Sequence, residues 1–203
     1  MKKNKSLKLI VYQSILSEII KGEYQAKQII NEQELVEKFG VSKSPIREAL
    51  VTLCSEGVLK NIPRYGYEVV QLSKDEIKEI LNFRFILEGG FLKETYLNIS
   101  EEQLEHLYYL NNLCKEEGID PLVHWERNAD FHLTLLSYSN NNFAFSQLKK
   151  SMFILKRAYV QFCSDKWKEN LIKREYHDII LNSIKSKDID TALKYLKQEL
   201  LDF

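Results

Sequence analysis

Three cysteines in 203 residues, Cys54, Cys114 and Cys163, are too few and too scattered to staple a fold. They are odd in number and no CxxC or CxxH pair is present, so neither a disulfide framework nor a zinc finger is indicated. Cys54 stands at helical spacing with Leu50 and Leu53 and reads as a small buried filler. Long apolar runs are also missing: nothing approaches the ~18 residues that a membrane span requires. The start, MKKNKSLKLIVYQSILSEII, is basic and then apolar, but Lys8, Gln13 and Glu18 interrupt it and no small-residue cleavage site follows. A cytoplasmic protein without a membrane partner is expected. Net charge is absent too, with 29 basic against 29 acidic side chains. That zero hides an asymmetry, since there are 11 Lys and Arg against 8 Asp and Glu through Leu72, and 18 against 21 beyond it. A mildly basic front is compatible with phosphate binding. Strand-like alternation is lacking after Val70. What is present is a globular composition, 44% hydrophobic and 11% aromatic, long enough for one large domain or two small ones.

In the front part, Leu7, Ile10, Val11, Ile15, Ile19 and Ile20 share one helical stripe, and Gly22 stops it. Asn31 and Glu34, three residues apart, carry the signature of a capping box. Leu35, Val36 and Phe39 supply that helix's buried face, and Gly40 suits the left-handed residue that ends it. Ser42 or Ser44 then caps another helix, with Pro45 in its first turn, where a missing N–H costs nothing. Ile46, Ala49, Leu50 and Leu53 form its inward stripe and Gly57 closes it. Two short helices joined at a glycine by a tight turn make a helix-turn-helix. Lys43, Ser44 and Arg47 begin the outward face of the second helix, at the end such helices insert into the major groove. Arg47 suits either a bidentate contact to guanine or a contact to phosphate, and the sequence does not separate them. An isolated surface Arg is more often just paired with an acidic neighbour.

Val58–Ile62 and Tyr67–Val70 are short β-prone runs around Pro63-Arg64-Tyr65-Gly66, with Gly66 expected to supply the positive φ of a tight hairpin. A hairpin directly after such a helix makes a wing. Its tip, Arg64 and Tyr65, is placed for the minor groove or the backbone.

At these residues a likeness appears. VSKSPIREAL followed by EGVLKNIPRYGYEV resembles the GntR superfamily of bacterial regulators, whose pattern runs V-S-[RK]-[ST]-P-[VI]-R-E-A-L, then E-G-L, then a Gly-containing wing. The likeness covers about residues 7–72. It implies that Lys43, Ser44 and Arg47, with Ser42 beside them, contact double-stranded operator DNA, and that Arg64, Tyr65 and Gly66 lie near it. Many members carry Arg before the Glu-Leu of the first motif helix. Here that position is Gln33, a neutral hydrogen-bonding group in place of a phosphate contact.

Ser73 with Glu76 opens the back part, where helices are expected near 75–98, 101–117, 121–139, 143–164, 168–186 and 188–202. Ser100 with Gln103, Asp120 before Pro121, and Asp188 are the start signals, and Ser139–Asn142 is the clearest break. Six helices with short connections predict an antiparallel bundle. The expected architecture is mainly α: a winged helix-turn-helix over 1–72, then an all-α effector-binding and dimerisation domain over 73–203.

Three elements of that part resemble the ligand-binding domain of the FadR-like (FCD) branch of GntR regulators. They are Arg84 and Glu88 in FRFILEGG, Phe131-His132 with Leu135, and Glu175 and His177 with Ile180, Asp188 and Ala192. Many members of this branch hold a divalent metal through an Asp, the F-H histidine, a histidine in the penultimate helix and one 22 residues later. Carried over, those positions are Asn128, His132, His177 and Glu199, so two of the four depart from the pattern. Asp130 does not replace the first, because two residues turn it about 200° away on a helix. The departures keep the formal charge, and two imidazoles with one carboxylate suit Zn, Ni, Mn or Fe. Two readings stand: one divalent ion (Zn, Ni or Mn), or a metal-free pair of hydrogen-bonded core histidines. Arg84 likewise has two readings, an ion pair with Glu88 one turn on, or a small carboxylate bridging it to the metal. Relatives in this branch commonly sense organic acids or sugar acids. The resemblance therefore implies a dimeric, ligand-responsive regulator, a repressor by default, on a palindromic operator, and not an enzyme. The rival class is an enzyme with His132, His177 and Glu199 as an open iron site, although no dedicated acid or base accompanies them.

Overall fold

The Ser6 hydroxyl accepts the amide of Leu9 at 3.3 Å and opens α1 (Leu7–Ile20). In the computed structural model, which describes residues 6–162 and 176–201, the chain divides after Ser73 into two units. Of the α1 stripe only Val11, Ile15 and Ile19, four residues apart, are buried. Leu7 and Ile10, expected on that stripe, are 55% and 45% exposed. The reason is geometric: α1 packs chiefly on one neighbour, α3, so a narrow line of side chains meets the core.

The strand β1 (Ile29–Ile30) leads into α2 (Glu32–Phe39). Asn31 caps α2, but its side chain accepts from the Gln33 amide at 2.8 Å and not from Glu34, so the expected box is a simpler cap. Gly40, at φ 62°, ends α2 in the left-handed region. The next helix, α3 (Lys43–Ser55), starts at Ser42 without a side-chain cap bond. Pro45 explains this, because it stands at the third helical position and removes one of the two amides a capping hydroxyl seeks. Ile46, Ala49, Leu50 and Leu53 are buried as their spacing predicts. Beyond Glu56, the Gly57 amide bonds to the Cys54 carbonyl and the Val58 amide to that of Leu53, which ends α3 in a Schellman motif and launches the wing.

The wing strands are β2 (Leu59–Ile62) and β3 (Gly66–Val69). β1 joins them, giving an antiparallel sheet of order β1-β3-β2 with Ile30 opposite Tyr67 and Ile62 opposite Gly66. The turn bears out the positive φ at Gly66 and adds a second residue with one. Its left-handed residue is Arg64 at φ 73°, after Pro63, with the Tyr65 amide on the Ile62 carbonyl at 3.0 Å. Gly66 has the expected positive φ, 130°, and is needed for a second reason as well: a Cβ there would lie 2.6 Å from the Ile30 carbonyl oxygen. Gly66→Ala should therefore cost about 1–3 kcal/mol through the β1–β3 contact. A lowered urea midpoint, with faster amide exchange at Tyr67, checks this.

The second unit holds α4 (Lys74–Thr95), α5 (Glu101–Cys114), α6 (Pro121–Ser137), α7 (Asn142–Gln161), α8 (His177–Lys185) and α9 (Ile189–Leu201). Ser100 and Gln103 form the expected reciprocal capping box, Asp120 caps α6 with Pro121 behind it, and the Asp188 carboxylate receives the Thr191 amide. Of the expected helix over 168–186, residues 168–175 lie outside the described residues, as do Cys163 and Glu175. α4 packs on α6, α7 and α9, α5 on α6 and α8, α6 on α7, and α8 on α9. Ala129, Leu136, Ala144, Leu148 and Met152 form the α6–α7 seam. No described helix is long and apolar enough to cross a membrane.

Candidate functional site

Two sets of polar residues gather into candidate sites, one in each unit. On the first, Lys43, Ser44 and Arg47 line one open concavity of about 520 Å³ together with Lys8, Glu48, Val51 and Thr52. Lys43, Ser44, Arg47 and Val51 fall on one face of α3 because they are spaced by one, three and four residues. Ser44 donates to Glu48 at 3.1 Å, and Gln33 to Glu37 at 3.2 Å, both at the surface. Ser42, Arg64 and Tyr65 are exposed, Tyr65 to 71%. Arg47 is 64% exposed, yet it is not unpartnered: Nη2 donates to Glu32 Oε1 at 3.0 Å and Nε to Glu32 Oε2 at 3.3 Å. The sequence did not single out Glu32. The only available signal was an acid in the first turn of α2, a common place for one.

The second set is buried. Arg84 and Glu88 lie one turn apart on α4, Asn128 and His132 one turn apart on α6, His177 opens α8, and Glu199 comes from the last turns of α9. His132 is 1% exposed and flanked by two carboxylates, with Nδ1 2.7 Å from Glu88 Oε2 and Nε2 2.9 Å from Glu199 Oε1. His177 Nε2 lies 3.0 Å from the same Glu199 oxygen, and Asn128 Nδ2 3.4 Å from that nitrogen. Glu199 Oε2 accepts the Tyr176 amide at 3.1 Å, at the N-terminal end of α8. One carboxylate thus serves three donors, which an imidazole in its place could not do. Glu88 completes the chain through Oε1, which receives Arg84 Nε at 2.8 Å.

The electrostatics follow from this placement. Burial raises the carboxyl pKa of Glu88, but Arg84 and His132 outweigh it and hold the group below its ordinary value. Glu199 is likewise raised by burial and then lowered further by His177 and His132. Burial disfavours the His132 imidazolium, but the Glu88 charge and the bonds to both carboxylates raise its pKa to about 9.

His132, His177 and Glu199 offer ligand atoms all within 4.8 Å of one another, which fits a divalent ion. The carboxylate on His132 Nδ1 is the outer partner that a metal-bound imidazole normally has. His177 lacks this partner: its Nδ1 is buried with no bond to a described residue, and its ring stacks on Phe131 at 3.7 Å. Arg84 Nη2 is also buried without an acceptor among the described residues. Asn128 sits at the edge of the cluster, while Asp130 is exposed and turned away. The bond from Glu88 to His132, across 44 residues, had no signal in the sequence.

Comparison with known proteins matches residues 7–69 to the bacterial regulatory proteins of the gntR family and residues 79–201 to the FCD domain. A Bacillus licheniformis protein named gluconate operon transcriptional repressor is 29% identical, covering 91% of this chain and 78% of its own length. An uncharacterised HTH-type transcriptional regulator of Bacillus subtilis is 27% identical, over 91% of this chain and 84% of its own. Among solved structures, a putative GntR transcriptional regulator from Rhodococcus sp. RHA1 superposes with a TM-score of 0.74 at 18% identity, covering 98% and 95% of the two chains. E. coli McbR/YncC gives a TM-score of 0.67 at 20% identity, covering 98% and 95%. At these identities the structural likeness establishes the fold alone.

Proposed function

This chain belongs to the gntR family of bacterial regulatory proteins and carries an FCD domain, and from that premise we propose that it represses transcription as a dimer whose grip on a palindromic operator is set by a small carboxylate. The observation that carries the DNA-binding part is the shared concavity of Lys43, Ser44 and Arg47 on α3, in a unit that ends in a wing. A single helix-turn-helix makes few contacts, and two copies on two half-sites supply the missing affinity and specificity. On α4, Phe83 and Ile86 are 42% and 64% exposed, and Gly90, one turn past Ile86, leaves room for a neighbouring helix. This stripe supports the second unit as the dimer face.

The buried Nη2 of Arg84 supports the effector reading. A guanidinium N–H without an acceptor is costly inside a protein, and a carboxylate group is the acceptor its fork matches. The gluconate in the name of the Bacillus licheniformis relative makes a sugar acid the first class to try. His132, His177 and Glu199 would hold a divalent ion, with Asn128 beside it. When bound, that ion supplies a Lewis-acid contact for the effector's oxygens. Glu88 keeps the His132 ring oriented and couples it to Arg84. The effector acts by binding one domain arrangement better than the other.

Retardation of the chain's own upstream DNA at stated salt, relieved by gluconate or a related acid, is the expected result. No retardation with any genomic fragment would sink the reading. A parallel melting screen with Zn²⁺, Ni²⁺ and Mn²⁺ should raise the midpoint by roughly 5–10 °C at saturating ion. No shift, and no metal by elemental analysis after reconstitution, would leave the regulator metal-free.

A further inference from the structure

The Glu32–Arg47 pair fixes which edge of the guanidinium faces an incoming duplex. A guanidinium offers a side edge, Nε with one Nη, and an end edge formed by the two Nη groups. Glu32 occupies the side edge, at 3.3 and 3.0 Å. Nη1 makes no bond to a described residue, so the end edge remains, a parallel two-donor fork. That fork matches O6 and N7 of guanine in the major groove.

Glu32 is itself held. It is the first residue of α2, next to the Asn31 cap, and its side chain is only 21% exposed. Tyr67 of β3 lies close enough for its phenol to be influenced by both charges. A carboxylate on the side edge also makes Arg47 a poor phosphate clamp, because it cancels the cation and repels a phosphate approaching that side. Phosphate attraction falls instead to Lys8 and Lys43, which line the same concavity. We propose that Glu32 is a positioning residue for DNA recognition, holding Arg47 as a reader of one guanine in each half-site. This rests on the DNA-binding reading above.

The test uses the full-length chain, a duplex that the wild type selects from a random pool, and a scrambled duplex of equal length. Glu32→Gln should melt within about 2 °C of wild type, bind the selected duplex more weakly and the scrambled duplex more tightly. Its specificity ratio should fall roughly 10-fold, with a salt slope steeper by about one per half-site. Glu32→Ala, which removes the acceptor altogether, should lose at least as much of the ratio. Changing each guanine in turn to 7-deazaguanine, which lacks N7, should cost the wild type about 10-fold at one position in each half-site and Arg47→Ala nothing there. An unchanged ratio in both Glu32 variants would overturn the proposal. So would an Arg47→Ala variant that weakens both duplexes alike with a flatter salt slope. If the wild type selects no duplex at all, the DNA-binding reading fails instead.

Discussion

His132→Ala is expected to lower the melting temperature by roughly 10 °C or more and to abolish any bound metal. The side chain is 1% exposed, and its two nitrogens stand against Glu88 and Glu199. Truncation leaves Glu88 with Arg84 alone and Glu199 with His177 and one amide, so two buried carboxylates each lose a partner. Breaking a buried charge pair from one side costs about 3–5 kcal/mol, and the cavity the ring leaves adds to that loss. Calorimetry with and without chelator separates the contributions. If chelation of the wild type does not move its midpoint, the hydrogen-bond chain alone carries the stability. A variant that melts like wild type would show that the cluster is dispensable to the fold.

Arg47→Ala should behave in the opposite way, with a wild-type melt and a loss of operator affinity of about 100-fold or more across two half-sites. Its side chain is 64% exposed and bonded only to Glu32 at the surface, so the fold has little at stake. The burial of Ile46, Ala49, Leu50 and Leu53 on the other face of α3 is untouched. Fluorescence anisotropy on the selected duplex, beside thermal melts of both proteins, makes the comparison. Operator affinity within twofold of wild type would remove Arg47 from the interface.

What the sequence disclosed divides by the range of the interaction. The stripe of α3, the left-handed Gly40, the Asp120 cap and the Ser100–Gln103 box each depend on residues within a turn or two, and each was legible. Leu7 and Ile10 misled because periodicity marks an apolar face without revealing how many neighbours will cover it. The strand β1 was invisible: two residues carry no alternation, and they become a strand only through pairing with Glu68 and Tyr67 almost forty residues on. The positive φ of Gly66 was legible in the turn, whereas the steric demand from Ile30, brought in by strand pairing, was not. In the buried centre, the Arg84–Glu88 pair was readable at helical spacing. Glu199 was found by family resemblance alone, and the Glu88–His132 bond by neither route, because contacts between distant helices leave no local pattern.

The run from Arg84 through Glu88, His132 and Glu199 to His177 draws one link from each of four helices, with α4 contributing two. No member can be exchanged without disturbing the hydrogen-bonding valence of the next, so mutational tolerance at these positions is epistatic. Double-mutant effects will not sum, and drift is confined to compensated steps that return every donor to an acceptor. Glu199 carries the most of these constraints, since its one carboxylate reaches both imidazoles and the amide at the start of α8.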